Sequence, residues 1–403
     1  MTYIIHSIPI RLRNKLPFYS NLKSYKFFTT LILTAIFFIT PSVSPATTIR
    51  VLINVIKTNQ PKTLSLQCRE KITLTDCDAD KIISKSCEIS LPSTKIICTH
   101  LQAATENNTP ITFKDQHYAG SLHIHFDKKN SCYLVVNHLD LDDYLYAILP
   151  NELYQSWPIE MHKIQAVASR SYVLACARDA RKKKQLYDVR SSNHSQVYRG
   201  THEHKHLWAA IDQTRGMVLT HEGKPILAMF DACCGGICPA LIERPEIADK
   251  PYLNRMRTCH FCANYNLYSW QKTFKFSAIE KALNHFAPTQ KFIADIGKLQ
   301  SICAEHIDQA GVVHTIKLTG SKGTRSMPEK DFFEIVRHKI KSHTYTVQRN
   351  GAELNFSGSG FGHHLGLCQR GARELVKRGW KTKSILAFYY PHTKMARMDT
   401  NAK

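Results

Sequence analysis

The hydrophobic periodicity of the chain changes at Leu139, and this change constrains the fold more than any other feature. Before it, the apolar segments are short and rich in β-branched residues, as in TIRVLINVI at 48–56 and in SLHIHF and CYLVV within 117–138, which is typical of strands. After it, apolar residues recur at helical spacing. The pattern predicts a helix that ends at Pro150 and a long second helix with Ser156 as its N-cap.

These segments predict an α+β fold with several parts. A chain of 403 residues is long enough for two or three domains. We expect a β-rich N-terminal domain at 47–138 and a helix-containing core with β-hairpins, one of which turns at Glu222–Gly223. The core would comprise 139–244 and 346–403, and an inserted mixed subdomain would occupy 245–345.

The N-terminus has the pattern of an export signal. Residues 1–26 contain five basic residues and no acidic one, and the apolar run FFTTLILTAIFFI follows at 27–39. Small and helix-breaking residues come next, so we expect a signal peptide at 1–46 that is cleaved after Ala46. The alternative is an uncleaved signal anchor. Either way, the body of the protein is predicted to be periplasmic or associated with the cell envelope.

The chain is strongly basic. It has 54 Lys and Arg against 32 Asp and Glu, a formal net charge of +22. This excess predicts an acidic partner, such as nucleic acid, anionic lipid or an anionic polymer of the envelope. No nucleic-acid-binding motif is present in the sequence, so a nucleic acid is not the expected partner.

Cysteines are frequent, and five of the thirteen fall in one short region. CGGIC and CHFC place Cys234, Cys238, Cys259 and Cys262 as two short-spaced pairs, and we predict that these four converge. Cys233 is left out because it is adjacent to Cys234. The spacing fits a structural zinc site, and in an exported protein it fits two disulfides equally well. In both interpretations the cluster is structural and takes no part in proton transfer.

Glu152 is the strongest candidate for acid–base chemistry. It lies in LPNELYQSWP, between the two predicted helices, where neighbouring prolines stiffen the backbone and Leu153, Tyr154 and Trp157 make the surroundings apolar. Such surroundings raise the pKa of a carboxyl group and suit it to general acid catalysis. The alternative is that Glu152 only closes a helix terminus.

The residues around Glu152 resemble the core of the sporulation stage II protein D (SpoIID)/LytB family. The resemblance is carried by LDLDDYLYAILPNELYQSWPIEMHKIQAVASRSYVLA, and it continues through SQVYRG, AAIDQTRGMVLTHEGKPILAMFDACCGG and GSGFGHHLGLCQRGARELVKRGW. It implies a lytic transglycosylase that cleaves the β-1,4 bond between N-acetylmuramic acid and N-acetylglucosamine in peptidoglycan. The helix-containing core would then be the catalytic part, and the three predicted parts of the chain would surround a substrate cleft. Glu152 would be the catalytic residue, and catalysis would need no cofactor.

The resemblance also implies partners and further site residues. Peptidoglycan glycan strands would be the substrate, and the LytB branch implies an alternative in which a non-catalytic protein binds the wall and stimulates an N-acetylmuramoyl-L-alanine amidase. Substrate-binding positions carried over from the family motifs are Arg170, Gln165, Gln196, Tyr198, His363, Gln369 and Tyr390. The sequence departs from the family at two places. Some members bind zinc through His and Cys residues just before the segment SQVY, where this chain keeps only His194 as a possible ligand. In addition, Cys368 replaces the Ser that usually precedes the glutamine at Gln369.

Overall fold

The computed structural model describes residues 47–58, 62–75, 81–91, 100–105, 107–192, 195–202, 204–286, 296–336 and 340–398. The predicted signal segment, 1–46, lies outside these residues, as does His194. Within the described part of the chain, no helix combines the length and the apolar character that a membrane span requires.

The β-rich N-terminal part forms a single sheet. Its strands are β1 (Thr48–Lys57), β2 (Lys62–Thr75), β3 (Lys81–Leu91), β4 (His100–Thr105), β5 (Ile111–Phe113), β6 (Gln116–Tyr118), β7 (Ser121–Asp127) and β8 (Cys132–Asp140), with β9 (Val189–Arg190) added later in the chain. The strand order is β6-β5-β2-β4-β7-β8-β1-β9, and β3 pairs with β2. The strands predicted from TIRVLINVI, SLHIHF and CYLVV are confirmed as β1, β7 and β8.

Two helices follow the sheet, at boundaries that differ slightly from those predicted. Helix α1 (Leu141–Glu152) is capped by the Asp140 side chain, which accepts from the Asp142 N–H, and it continues two residues past Pro150. Helix α2 (Ile159–Lys182) has Pro158 as its N-cap, so Ser156 does not cap it. A proline has no N–H that needs a partner, which lets it occupy either position near a helix end.

Helix α2 lies between two apolar cores. Ala166 and Val173 pack with the N-terminal sheet and α1, whereas Ile164 and Val167 pack into a second core. The first core also includes α3 (Lys205–Gln213). The second core is formed by elements around β10 (Met217–His221), β11 (Lys224–Pro225) and β12 (Phe230–Asp231). The β10–β11 hairpin has its turn at Glu222 and Gly223, both with positive φ, as predicted.

The next part of the chain contains a unit with a core of its own. Its elements are β13 (Ser269–Lys275), α4 (Phe276–Phe286), β14 (Leu299–Ile307), β15 (Val313–Gly320), β16 (Gly323–Pro328), α5 (Glu329–Val336), β17 (Tyr345–Asn350) and β18 (Glu353–Ser359). Strands β13-β18-β17 form one sheet and β14-β15-β16 another, and their apolar faces pack with α4 and α5.

The packing places this unit at 269–359, later than the predicted subdomain at 245–345. Residues 346–359 belong to it because β17 and β18 pair with β13. Residues before Ser269 pack elsewhere: Ile247, Tyr252 and Leu253 lie in the second core. The chain closes with β19 (Leu367–Cys368), α6 (Gln369–Lys377), α7 (Thr382–Tyr389) and β20 (Lys394–Arg397). The mixture of helices and strands is consistent with the predicted α+β class.

Candidate active site

The end of α1 and the loop before β19 line a common cleft. One part of the cleft, about 310 Å³, is lined by residues that include Glu152, Tyr172, Asp231 and His363. The adjoining part, about 690 Å³, extends along the connection between α1 and α2. Both parts share four lining residues: Glu152, Ala232, Phe361 and Gln369. Glu152 therefore lies where the two parts meet.

Glu152 is half-buried, and among the described residues its carboxyl group has a single hydrogen-bond partner. Its Oε1 accepts from the backbone N–H of Val197 at 2.7 Å. Its Oε2 has no hydrogen-bond partner among the described residues. Burial raises the pKa of this carboxyl, and the Val197 N–H opposes the shift because it stabilises the carboxylate. A carboxyl with one fixed and one free oxygen can exchange a proton with a molecule in the cleft.

A chain of amide and hydroxyl groups holds the backbone of Glu152. Gln369 Nε2 donates to the carbonyl oxygen of Glu152 at 3.2 Å and to Gln165 Oε1 at 3.3 Å. Gln165 Nε2 in turn donates to Ser169 Oγ at 3.1 Å. Gln369 lines the cleft, whereas Gln165 is fully buried. Gln165 therefore fixes Gln369. It was predicted to contact substrate, but its side chain does not reach the cleft.

The segment that carries Val197 is fixed on both sides. Gln196 Oε1 accepts from the Tyr144 hydroxyl at 2.9 Å, and the Tyr198 hydroxyl donates to Asn137 Oδ1 at 2.5 Å. Gln196 and Tyr198 are both buried, so the predicted contact of these two side chains with substrate is replaced by a positioning role. They hold the Val197 N–H toward Glu152.

Arg170 and Tyr390 were also predicted to contact substrate, and both are fully buried. Arg170 donates to the carbonyl oxygens of Thr214 at 2.8 Å and Met217 at 3.0 Å, and lies 3.6 Å from Asp142 Oδ1. It therefore ties α1 and α2 to the segment after α3. The Tyr390 hydroxyl donates to the carbonyl oxygen of Met229 at 2.8 Å. Both residues support the walls of the cleft from behind, because these hydrogen bonds lie inside the core.

His363, which its motif predicts to bind substrate, lines the cleft. Its Nδ1 accepts from the Leu365 N–H at 3.1 Å, and the ring is also hydrogen-bonded to the Phe230 backbone. Burial, together with the charge of Arg244, lowers the pKa of His363 to about 3. The imidazole is therefore neutral near pH 7 and is fixed by its backbone partners.

Two polar residues of the cleft were not singled out in the sequence. Tyr172 lies two residues after Arg170 in the family's helix motif, and this position could have identified it as a site residue. Asp231 is buried, its Oδ2 accepts from the His364 N–H at 2.8 Å, and its Oδ1 has no partner among the described residues. Burial raises the pKa of Asp231 well above its ordinary value, which favours the protonated form of this second carboxyl.

Aromatic side chains form the wall of the larger part of the cleft. The Arg370 guanidinium lies over the rings of Tyr265, Trp157 and Tyr154, at 3.9, 4.8 and 4.9 Å from their centres. Tyr154 is 62% exposed and Phe361 is 41% exposed. Flat apolar surfaces beside an arginine suit a ligand that has both apolar faces and polar edges.

Four thiols converge next to the cleft, but they are not the four predicted. The sulfurs of Cys234, Cys259, Cys262 and Cys368 all lie within 4.8 Å of one another, and all four residues are buried. Cys238 lies outside the group, where its Sγ contacts the carbonyl oxygens of Arg255 at 3.4 Å and Met256 at 3.3 Å. Cys368 takes its place because β19 pairs in parallel with β12. The ten cysteines whose side chains the structure describes are free thiols, so no disulfide is formed among Cys234, Cys238, Cys259 and Cys262.

Comparisons with known proteins agree with the motifs. The family model of the stage II sporulation protein SpoIID matches residues 129–221, and a domain of unknown function (DUF8618) matches residues 195–366. The first match includes α1, α2 and Glu152, and the second includes the thiols of Cys234, Cys259 and Cys262.

Several curated relatives are similar over most of the chain. An uncharacterized protein of Brachyspira hyodysenteriae is 29% identical over 292 residues, 71% of this chain and 74% of that protein. The amidase enhancer of Bacillus subtilis is 26% identical over 290 residues, 62% of this chain but only 40% of that protein. Stage II sporulation protein D of Bacillus amyloliquefaciens is 24% identical over 279 residues, 66% of this chain and 76% of that protein. The predicted resemblance to the SpoIID/LytB family is thus confirmed.

Proposed function

We propose that this protein is a peptidoglycan lytic transglycosylase in which Glu152 is the general acid and base. The observation that carries the proposal is the carboxyl group of Glu152 at the junction of the cleft. One of its oxygens is held by the Val197 N–H, and the other has no partner in the part of the chain that the structure describes. The substrate would be the glycan strand, cleaved at the β-1,4 bond between N-acetylmuramic acid and N-acetylglucosamine.

The chemistry requires only one carboxyl group. Protonated Glu152 gives its proton to the glycosidic oxygen, and the bond from that oxygen to C1 of the muramoyl ring breaks. The muramoyl 6-hydroxyl attacks the same C1, and its proton returns to the Glu152 carboxylate. The products are a free N-acetylglucosamine 4-hydroxyl and a 1,6-anhydro-N-acetylmuramoyl end, so no water is consumed. In contrast to the glycoside hydrolases, no second carboxylate acts as nucleophile or base, and no cofactor is required.

The electrostatics of the site support this assignment. The raised pKa of Glu152 increases the fraction of the protonated acid near neutral pH. Asp231, the other carboxyl of the cleft, is buried and bonded to the His364 N–H, so it is not suited to attack a sugar. The exposed rings of Tyr154 and Phe361 offer surfaces on which sugar faces stack.

Glycan without stem peptides is the proposed preferred substrate. The cleft adjoining Glu152 is lined by aromatic rings and Arg370, which suit sugar faces and the lactyl carboxylate of muramic acid. The net charge of +22 favours association with an anionic envelope polymer. We further propose that the N-terminal segment exports the protein to the periplasm. Sequencing the N-terminus of the envelope form tests this: a start near Thr47 supports cleavage, and intact residues 1–40 show an anchor.

A non-catalytic role is the second candidate, and the similarity to an amidase enhancer favours it. In that case the cleft would bind glycan and the protein would stimulate an N-acetylmuramoyl-L-alanine amidase. The two candidates differ in their dependence on Glu152, because only the enzyme needs its proton.

The deciding experiment compares wild type, Glu152→Gln and Glu222→Gln on purified sacculi, with and without prior amidase treatment. Glu222 is exposed at the β10–β11 turn and serves as the matched control. Mass spectrometry should detect anhydro-muropeptides with wild type and Glu222→Gln and none with Glu152→Gln. Absence of these products in all samples, with amidase stimulation intact, would establish the non-catalytic role instead.

A further inference from the structure

The four buried thiols next to the cleft come from three distant parts of the chain. Cys234 follows β12, Cys259 and Cys262 lie on a loop before β13, and Cys368 ends β19. Their sulfurs lie within 4.8 Å of one another, and Cys234 Sγ is 3.7 Å from Cys262 Sγ. We propose that these four residues, as thiolates, bind one zinc ion in a closed tetrahedral site that fixes the floor of the cleft.

The spacing of the sulfurs fits a zinc ion better than it fits a disulfide or an iron–sulfur cluster. A tetrahedron of thiolates around zinc, with Zn–S bonds of about 2.3 Å, has S–S edges of about 3.8 Å. A disulfide would need sulfurs about 2.05 Å apart, far closer than the 3.7 Å between Cys234 and Cys262. The thiolates of a four-iron cluster surround a cube of iron and sulfide, which is too large for a group whose sulfurs all lie within 4.8 Å.

The surroundings provide hydrogen bonds to the sulfurs, as in structural metal sites. The N–H groups of Cys234 and Gly371 both point at Cys368 Sγ, at 3.3 and 3.4 Å, and the Tyr389 hydroxyl lies 3.2 Å from Cys259 Sγ. Such groups stabilise thiolates and orient them toward the metal. Gly371 is required here, because a Cβ at this position would lie 2.7 Å from Cys259 Sγ and closer still to the Tyr389 hydroxyl.

A buried arginine supplies a second, independent observation. Arg255 is 3% exposed, and its Nε, Nη1 and Nη2 have no hydrogen-bond partner among the described residues. Its guanidinium lies over the ring of Tyr389, 5.6 Å from the ring centre, and the hydroxyl of that ring contacts Cys259. A buried charge is costly unless opposite charge balances it, and Asp231 is one group whose charge interacts with Arg255. Four thiolates around a divalent ion carry a net charge of about −2, which would balance this cation.

The site has no position for a substrate or a water molecule, since four protein ligands complete the tetrahedron. Its role is structural. Cys368 immediately precedes Gln369, which holds the Glu152 backbone, and Cys234 follows Ala232 of the cleft by two residues. The metal would therefore fix two cleft-lining segments that are far apart in the chain, whichever reaction the cleft performs.

The test is the metal content of the purified full chain, measured by inductively coupled plasma mass spectrometry. The protein is prepared under reducing conditions with zinc present. Wild type should hold one zinc ion per chain. Cys259→Ser and Cys262→Ser should hold less than about a tenth of that, whereas Cys238→Ser should match wild type because Cys238 is buried nearby but outside the group. Equal zinc in all four proteins would overturn the assignment of ligands, and one iron per wild-type chain would overturn the assignment of the metal.

A measurement on wild type alone covers the case in which the variants do not fold. Chain freed of zinc under reducing conditions should bind one equivalent of Co²⁺ with the intense visible bands of tetrahedral cobalt thiolate. One equivalent of Zn²⁺ should then remove these bands. Failure to bind Co²⁺, or a disulfide joining any two of the four cysteines in protein recovered from the envelope, would overturn the proposal.

Discussion

Val197 donates its backbone N–H to Glu152 Oε1 at 2.7 Å, across 45 positions of the chain. A backbone donor cannot be removed by changing the Val197 side chain, so it is a dependable way to orient a catalytic carboxyl. It also stabilises the carboxylate form of the group, whereas burial favours the protonated form. The balance between the two sets the pKa at which the acid gives up its proton.

Replacing Glu152 by Gln should reduce the formation of anhydro-muropeptides by at least about 10²-fold, the usual scale of a general acid–base contribution. Gln keeps an oxygen that accepts from Val197 N–H, so the fold should be retained, as circular dichroism would show. Near-normal turnover by this variant would eliminate the proposed mechanism.

The same substitution should raise the melting temperature at pH 7. The pKa of Glu152 is raised in the folded protein, so the folded state binds this proton more tightly than the unfolded state. The stability that the bound proton provides is complete below the unfolded pKa and is lost as the pH rises through the folded pKa. Wild type should therefore lose stability over this range relative to Glu152→Gln. Parallel stability curves between pH 4 and pH 8 would contradict the raised pKa.

Gln165→Leu should destabilise the protein and lower kcat more than it raises KM. The change removes the acceptor for Gln369 Nε2, and a buried polar group left without its partner costs about 1–3 kcal/mol. The matched control is Ser169→Ala, which removes the other partner of Gln165 and leaves its contact with Gln369 intact. Urea unfolding and steady-state kinetics should show the kcat effect only in Gln165→Leu; an equal loss of kcat in both would point to general loosening of α2.

Tyr154→Ala should weaken glycan binding without affecting the fold. The ring is 62% exposed in the cleft, so its removal costs little core packing but takes away a stacking surface worth about 1 kcal/mol. KM should rise several-fold at unchanged melting temperature. Trp380→Ala, at an exposed ring that is not among the residues lining the cleft, is the control. An unchanged KM in Tyr154→Ala would exclude this wall from the binding site.

Arg255→Met should weaken zinc binding by about 10–100-fold, the effect typical of groups just outside a metal's ligand shell. Methionine fills much of the same volume but carries no charge to balance the thiolates. Competition with a chromogenic chelator measures the affinity directly. An affinity equal to that of wild type would show that Arg255 does not compensate the charge of the site.

The imidazoles of the N-terminal sheet should make stability depend on pH. The pKa of His123 is lowered to about 3, and the pKa values of His125 and His138 are lowered to about 4. Burial is the main cause in all three. His100 and Arg50 add like charge, and Asp188 acts in the opposite direction on His138. Because the unfolded chain protonates near 6.5, the stability from neutral imidazoles is complete above that pH and is lost as the pH falls toward 4 and then 3.

Urea unfolding at several pH values tests this expectation. His125→Gln should show a shallower loss of unfolding free energy below pH 6.5 than wild type, whereas His285→Gln, at an exposed position, should follow wild type. If His125→Gln loses stability as steeply as wild type, the imidazoles of the sheet do not cause the dependence.

The sequence predicted local structure well and long-range convergence poorly. The strands near residues 48 and 121, the Glu222–Gly223 turn and the two long helices followed from periodicity and turn residues alone. The replacement of Cys238 by Cys368 did not, because Cys368 reaches Cys234 only through the parallel pairing of β12 with β19. Each of these two strands has only two residues, so the sequence contains no periodicity or spacing from which their pairing could be predicted.

The roles of the motif residues show the same limit. Motifs identified Gln165, Arg170, Gln196, Tyr198 and Tyr390 as belonging to the site, but could not tell a side chain that faces the cleft from one that supports it. That distinction depends on burial. All five are buried, and each makes at least one hydrogen bond to another part of the core.

Strands β13 and β18 run antiparallel with Ser269 opposite Ser359, so the chain enters and leaves the unit at 269–359 at neighbouring points. A segment anchored in this way can change in length or sequence during evolution with little strain on the rest of the molecule. The unit could therefore be lengthened, shortened or exchanged without moving the two chain ends that join it to the residues of the cleft.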